Sequence, residues 1–137
     1  MLSVLIPVYN FNIYHLVSDL HSQSLGLDIP VEIIVAEDGS EEQFVKNNKQ
    51  VSVFQNVTYI SLKENLGRSR IRNFLSSEAK YPFLVFMDCD SKTENSNFLK
   101  NYAQFGSFQS VVVCGGRTYE NEKPINQSFY QIGRAHV

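Results

Sequence analysis

Four short apolar runs punctuate the chain, Val4 to Val8, Val31 to Ala36, Phe83 to Met87 and Val111 to Cys114, and a fifth, Val57 to Leu62, alternates more with polar residues. Continuous apolar runs of this length suit strands buried on both faces. The segments between them carry helical periodicity. Ile13, Leu16, Val17 and Leu20 fall at i, i+3, i+4 and i+7, which draws one apolar stripe along a helix behind the first strand. Ser40 with Gln43 has the pattern of a capping box ahead of a short helix carrying Phe44 and Val45. After Gly67 a third helix is predicted, with Ile71, Phe74, Leu75 and Glu78 on one face and Arg68 and Arg72 on another. A fourth is predicted from about Glu94 to Phe105, with Phe98, Leu99 and Tyr102 inward. Strands alternating with helices predict an α/β fold, a mostly parallel sheet with helices on both faces, because right-handed crossovers put them there.

A chain of 137 residues, 43% apolar and 19% charged, can bury one ordinary core. A net charge of -2 provides no basic face for a nucleic-acid partner. Cys89 and Cys114 lie far apart with no CxxC pair, which argues against a zinc site or a disulfide framework and for a reducing, cytoplasmic setting. The run Val4 to Val8 is interrupted by Pro7, lacks a basic leader and is too short for a secretory segment. No stretch approaches the roughly 20 apolar residues that span a bilayer, so any membrane association is expected to be peripheral.

The C-terminal stretch does not read as the end of a domain. Thr118 to Gln127 is polar, and Ser128 to Ile132 then opens a new aromatic segment, so the fold is expected to be incomplete at the C-terminus. Ile132 to Val137 match the conceptual translation of a widely used DNA sequencing adapter. The expected organisation is one partial domain over 1–131 and a non-native tail over 132–137.

In open α/β sheets, ligands bind beyond the carboxyl ends of the strands. Those ends are polar here: Pro7-Val8-Tyr9-Asn10, Glu37-Asp38-Gly39-Ser40, Lys63-Glu64-Asn65-Leu66-Gly67 and Asp88-Cys89-Asp90. Residues two apart on an extended chain point the same way, so Asp88 and Asp90 can present two carboxylates to one hard cation, with Cys89 turned opposite into packing. A Mg²⁺ or Mn²⁺ held there would offset the charge of a nucleotide diphosphate and stabilise it as a leaving group. The same Asp-x-Asp pattern also arises as two solvated carboxylates. Asp38 can accept hydrogen bonds from a base or ribose, or form a plain acidic turn with Gly39 and Ser40. Arg68 and Arg72 can face phosphate, since guanidinium forks match anionic oxygens, while Arg70 points about 160° away and reads as a surface charge. His15 and His21, on the first helix, have no partner for metal binding in the pattern and are assigned no chemistry.

Taken together, Ser3-Val4-Leu5-Ile6-Pro7-Val8-Tyr9-Asn10, Glu37-Asp38-Gly39-Ser40, Asn65-Leu66-Gly67 running to Arg72-Asn73, and Met87-Asp88-Cys89-Asp90 resemble the family 2 glycosyltransferases of GT-A fold, in residues, order and spacing, over about Leu2 to Tyr119. The resemblance implies a transferase that moves a sugar from a nucleotide diphosphate donor, with uridine the expected base, to an acceptor that the pattern does not identify. It implies that Pro7, Tyr9, Asn10 and Asp38 hold the nucleotide, with Gly67 and Arg72 lining the same pocket. Asp90 would bind the metal directly, and Asp88 would contact ribose or a metal-bound water, the DxD motif of such enzymes. Many members have two aspartates before Gly-Ser, where this chain has Glu37 then Asp38, which moves the first carboxylate about one methylene further out. By the same resemblance the general base, usually an Asp, belongs to a second half whose floor Gly115 and Gly116 would begin, so the chain is expected to carry only the leaving-group side of an inverting displacement.

Two other classes compete. A haloacid dehalogenase-type phosphohydrolase also uses a strand-end Asp-x-Asp beside Mg²⁺, but that pattern wants Thr or Val where Lys92 stands and normally falls on the first strand. A folded but inactive nucleotide-binding fragment is the other. A dinucleotide-binding reading fails because no GxGxxG follows the first strand.

Overall fold

The computed structural model describes residues 1–106, 108 and 112–115. The elements in chain order are β1 (Leu2–Val8), α1 (Tyr14–Ser24), β2 (Val31–Asp38), α2 (Glu42–Asn48) followed by a 3-10 turn (Lys49–Val53), β3 (Val57–Leu62), α3 (Arg68–Glu78), β4 (Phe83–Phe86) and α4 (Phe98–Ala103). The strands form one four-stranded sheet in the order β3-β2-β1-β4. Every neighbouring pair is parallel. β1 therefore lies between β2 and β4, where the order reverses, and the turns that follow β1 and β4 meet at one crevice.

The two-residue period of the strands sorts side chains into two cores. Leu2, Val4, Ile6 and Val8 of β1, Ile33 and Val35 of β2, and Val85 and Met87 at β4 face α1, the 3-10 turn and Leu99 of α4. Leu5, Ile34 and Ala36 face the other way, against Ile71 and Leu75 of α3. Each fully buried aliphatic side chain contributes roughly 1.5–3 kcal/mol. The two-sided burial explains why β1 and β2 read as unbroken apolar runs.

The end of the sheet away from the crevice is closed by a polar cluster. Ser3 Oγ donates to Glu32 Oε1 at 2.6 Å, the Lys80 amide donates to the same oxygen at 2.6 Å, and the Tyr81 amide donates to Ser3 Oγ at 3.2 Å. This cluster ties the α3–β4 connection to β1 and β2. Glu32→Ala strands the Ser3 hydroxyl and the Lys80 amide and should lower unfolding free energy by about 2 kcal/mol in urea titrations.

Several expectations need correction. The capping box does not form: the N-cap of α2 is Glu41, without a side-chain cap bond. The Ser40 hydroxyl is committed elsewhere, donating to Glu37 and accepting from the Asn10 amide. α4 starts at Phe98, not Glu94, because Asn95 accepts the Asn97 amide on its side chain at 2.9 Å, an Asx turn that competes with helix. Phe98, Leu99 and Tyr102 do pack inward. The expected strand Val111 to Cys114 is not formed by residues 112–115, where Val112 is 93% exposed and, among the described residues, joins none of the four strands. Val111, Gly116, the polar stretch, the aromatic segment and the tail lie outside the described residues.

Candidate functional site

The four strand ends enclose a cleft of about 560 Å³ lined by Pro7 at the end of β1 and Tyr9 and Phe11 in the turn after it, Asp38 at the end of β2, Asn65, Gly67, Arg68 and Arg72 around the start of α3, and Asp88 and Asp90 after β4. Of the eight residues assigned to nucleotide or metal from sequence, only Asn10 is missing from this lining. It adopts a left-handed backbone, φ 49°, unusual for a residue with a side chain. Its side-chain oxygen accepts the Glu41 amide at 2.7 Å and its own amide donates to Ser40 Oγ at 2.9 Å, so it braces the turn from behind.

The turn braced in this way displays two aromatic rings at the mouth of the cleft, Tyr9 at 56% and Phe11 at 42% exposure. Large apolar rings left in water mark a place where something flat can stack. Phe11 was not singled out from sequence, since it fits neither strand nor helix period. Its spacing of two from Tyr9 in an otherwise polar turn was the available signal.

Asp38 is 5% exposed, and both its oxygens are engaged: Oδ1 accepts the Leu66 amide at 2.6 Å and Oδ2 accepts the Gly67 amide at 3.0 Å. The carboxylate thus holds the loop that begins α3 while still carrying free lone pairs toward the cleft. Gly39 beside it has φ 71° and lies against the backbone of Glu64 and Asn65. Glu37 does not present a first carboxylate toward the cleft as expected. It points to the opposite face of β2 and is fully buried.

Asp88 and Asp90 both line the cleft, but not by strand alternation. β4 ends at Phe86, and the chain turns at Cys89 and Asp90, with the Ser91 amide donating to the Asp88 carbonyl at 3.0 Å. The parity argument therefore stops at Met87, and it is the turn that brings both carboxylates to the cleft. Cys89 packs partly against the larger core while also lining the cleft. Burial pushes its thiol above the usual range and the flanking carboxylates add to this, against a lowering by a hydrogen bond to the Tyr9 backbone, so it is a poor nucleophile.

Arg72 Nη2 lies 2.5 Å from Asp88 Oδ1, with side-chain exposures of 27% and 33%. Arg72 Nη1 also donates to the Arg68 carbonyl at 3.2 Å, which fixes the guanidinium at the cleft floor. Arg70 is exposed and does not line the cleft. His21 stacks on Phe54 at 4.6 Å between ring centres and pairs with Asn56 at 2.6 Å, a packing role. Among the described residues no three His, Cys, Asp or Glu side chains gather as a metal cage. Two carboxylates at an open cleft instead suit a hard Mg²⁺-like cation, whose shell phosphate oxygens and water would complete.

The sequence profile described as Glycosyl transferase family 2 matches residues 3–132. The uncharacterized glycosyltransferase YfnE of Bacillus subtilis (strain 168) is 29% identical over 115 residues, which is 82% of this chain and 29% of that protein. The crystal structure of S. aureus TarS 1-349 in complex with UDP-GlcNAc superposes with a TM-score of 0.63 at 29% identity, over 76% of this chain and 30% of that one. The mannosyltransferase PcManGT from Pyrobaculum calidifontis, in complex with GDP-Man and Mn²⁺, shares the fold with a TM-score of 0.64 at 18% identity, over 80% of this chain and 33% of that one. The chain thus spans about a third of the length of these relatives. No helix among the described residues is long and apolar enough to cross a membrane.

Proposed function

The chain belongs to glycosyl transferase family 2, and from that membership we propose that it is the donor-binding part of an enzyme that transfers a sugar from a UDP-sugar to an acceptor hydroxyl, with metal dependence and inversion. The observation that carries this reading is the convergence of an exposed aromatic pair, a buried carboxylate, a cleft arginine and two further carboxylates on one crevice. In it the base stacks beside Tyr9 and Phe11 and takes its polar contact from Asp38. TarS, at 29% identity, is bound to UDP-GlcNAc, which supports uridine as the base.

Asp90 and Asp88 would hold a divalent ion, Mn²⁺ or Mg²⁺, which when bound neutralises the diphosphate and supports its departure. Arg72 holds the Asp88 carboxylate in place and adds positive charge at the cleft floor. Asp90, exposed on the turn, is the carboxylate left to reach the ion. Asp38 is committed to the Leu66 and Gly67 amides and Asp88 to Arg72, so none of the cleft carboxylates is assigned as general base. The base and the acceptor contacts are assigned to residues outside 1–115, and 1–131 is read as a partial domain followed by a non-native tail. A cytoplasmic location is part of the same proposal.

Calorimetric titration with UDP, first with Mn²⁺ and then with the ion chelated, tests the reading. Heat that is lost on chelation supports it. No heat in either condition, from a chain shown by circular dichroism to be folded, overturns the assignment of this cleft. Arg72→Met should weaken UDP binding about tenfold at low salt, and less at high salt as phosphate attraction is screened. Its unfolding midpoint should hardly move, because a pair this exposed contributes about 0–1 kcal/mol.

A further inference from the structure

Glu37 stands behind the cleft rather than in it. Successive residues of β2 face opposite ways, so Asp38 turns toward α3 while Glu37 turns into the α1 side and is fully buried. Neither of the two ion pairs among the described residues involves it. A buried carboxylate without a countercharge is costly unless neutral donors satisfy it. Asn48 Nδ2 donates to Glu37 Oε1 at 2.6 Å, and Ser40 Oγ donates to Oε2. Tyr59 lies close enough that burial, together with the Glu37 charge, pushes its phenol above the usual range.

Both donors carry the bond onward to the same place. Asn48, itself fully buried, accepts the Ile13 amide on Oδ1 at 3.1 Å and donates to the Phe11 carbonyl at 2.7 Å. Ser40 Oγ accepts the Asn10 amide at 2.9 Å. Three backbone groups of the turn after β1 are thus tied through two side chains to one carboxylate. That turn contains the left-handed Asn10, a conformation that persists only when its surroundings impose it. It also carries the two exposed rings, Tyr9 and Phe11.

We propose that Glu37 is the positioning residue for the nucleotide-binding turn, acting through Asn48 and Ser40 to hold Tyr9 and Phe11 ready at the mouth of the cleft. The proposal rests on the donor-binding reading for the ligand, but not for the network itself. The carboxylate accepts from both relays at once, which an amide at this position cannot do, since one of its two polar atoms is a donor. Aspartate at position 37 would keep the charge and fall about one methylene short of Asn48.

The test combines amide hydrogen exchange of the free chain with UDP titration in Mn²⁺, on Ser40→Ala, Ser40→Thr and Glu37→Gln. Ser40→Ala should accelerate exchange at Asn10 at least tenfold while β2 amides keep their protection, and should weaken UDP binding about fivefold or more. Ser40→Thr keeps the hydroxyl and should restore both. Glu37→Gln should loosen Asn10 and Ile13 together. Should Glu37→Gln fail to fold, the two Ser40 variants decide on their own. Unchanged exchange in Ser40→Ala overturns the network, and accelerated exchange with unchanged UDP affinity overturns its role in the site. A native chain that binds no UDP counts against the donor reading instead, and the exchange arm then decides whether the network holds the turn.

Discussion

Replacing Asp90 by alanine should make UDP binding insensitive to Mn²⁺, so that titrations with the ion present and with the ion chelated coincide. The expected loss is about 100-fold in affinity, which corresponds to roughly 2.7 kcal/mol. Asp88 is held by Arg72 at 2.5 Å, whereas Asp90 is exposed on the turn after Cys89. A hard cation with one or two carboxylates needs phosphate oxygens to complete its shell, so removing Asp90 uncouples ion from nucleotide. Asp90→Asn, of the same shape, should behave similarly if charge is what matters. Neither change should alter the unfolding midpoint, because Asp90 buries nothing. Retained Mn²⁺ dependence in Asp90→Ala would remove this residue from the ion site.

Gly39→Ala carries the largest expected loss of stability, about 3–5 kcal/mol, out of a total that for a domain of this size is about 5–15 kcal/mol. A Cβ built there meets Asn65 N at 2.6 Å, Glu64 C at 2.9 Å and Asn65 Cα at 3.1 Å, all backbone, and φ is 71°. The left-handed conformation costs an alanine about 1–2 kcal/mol by itself, and the clash adds the rest. The loop that must move is the one whose Leu66 and Gly67 amides Asp38 holds, so nucleotide binding should fall as well. Gly67→Ala is the control. Its φ is 82° and its ψ 165°, but nothing lies within 4 Å of its added Cβ, so only conformational strain of about 1–3 kcal/mol applies. Equal urea midpoints for the two variants would refute the close approach at Gly39.

The strands, the parallel sheet and the rim of polar residues were legible because each leaves a local mark: unbroken apolar runs where both faces are covered, and charge concentrated where the runs stop. Seven of the eight residues singled out for nucleotide or metal line one cleft for that reason. What was illegible depends on partners distant in sequence. Nothing near Ser40 announces that its hydroxyl serves Glu37 and the Asn10 amide rather than the helix that follows. Nothing near Asn10 announces that its side chain turns back to Glu41. The alternation rule overreached at Asp88 because it was carried past the residue where the strand stops. Glu37 is grouped with Asp38 at the polar end of β2 in the sequence, although adjacent residues on one strand necessarily face opposite ways. The run ending at Cys114 looks like a strand from composition alone, but a strand also needs a partner, and among the described residues none of the four strands pairs with residues 112–115.

The pairing of β4 with β1 has a kinetic consequence. Leu2 aligns with Phe83 and Leu5 with Phe86, residues separated by roughly eighty positions, whereas β2 reaches β1 across a far shorter loop. Closing the longer loop costs more entropy and rewards the chain with only a four-residue ladder. The β1–β2–β3 unit can therefore assemble first, and β4 docks late. The Asp88 and Asp90 turn rides on that last strand, so the half of the cleft that carries these two carboxylates comes into being only when the sheet is complete. On the proposed donor-binding reading, a donor complexed with metal would bind only this final state and would draw the last strand home by mass action.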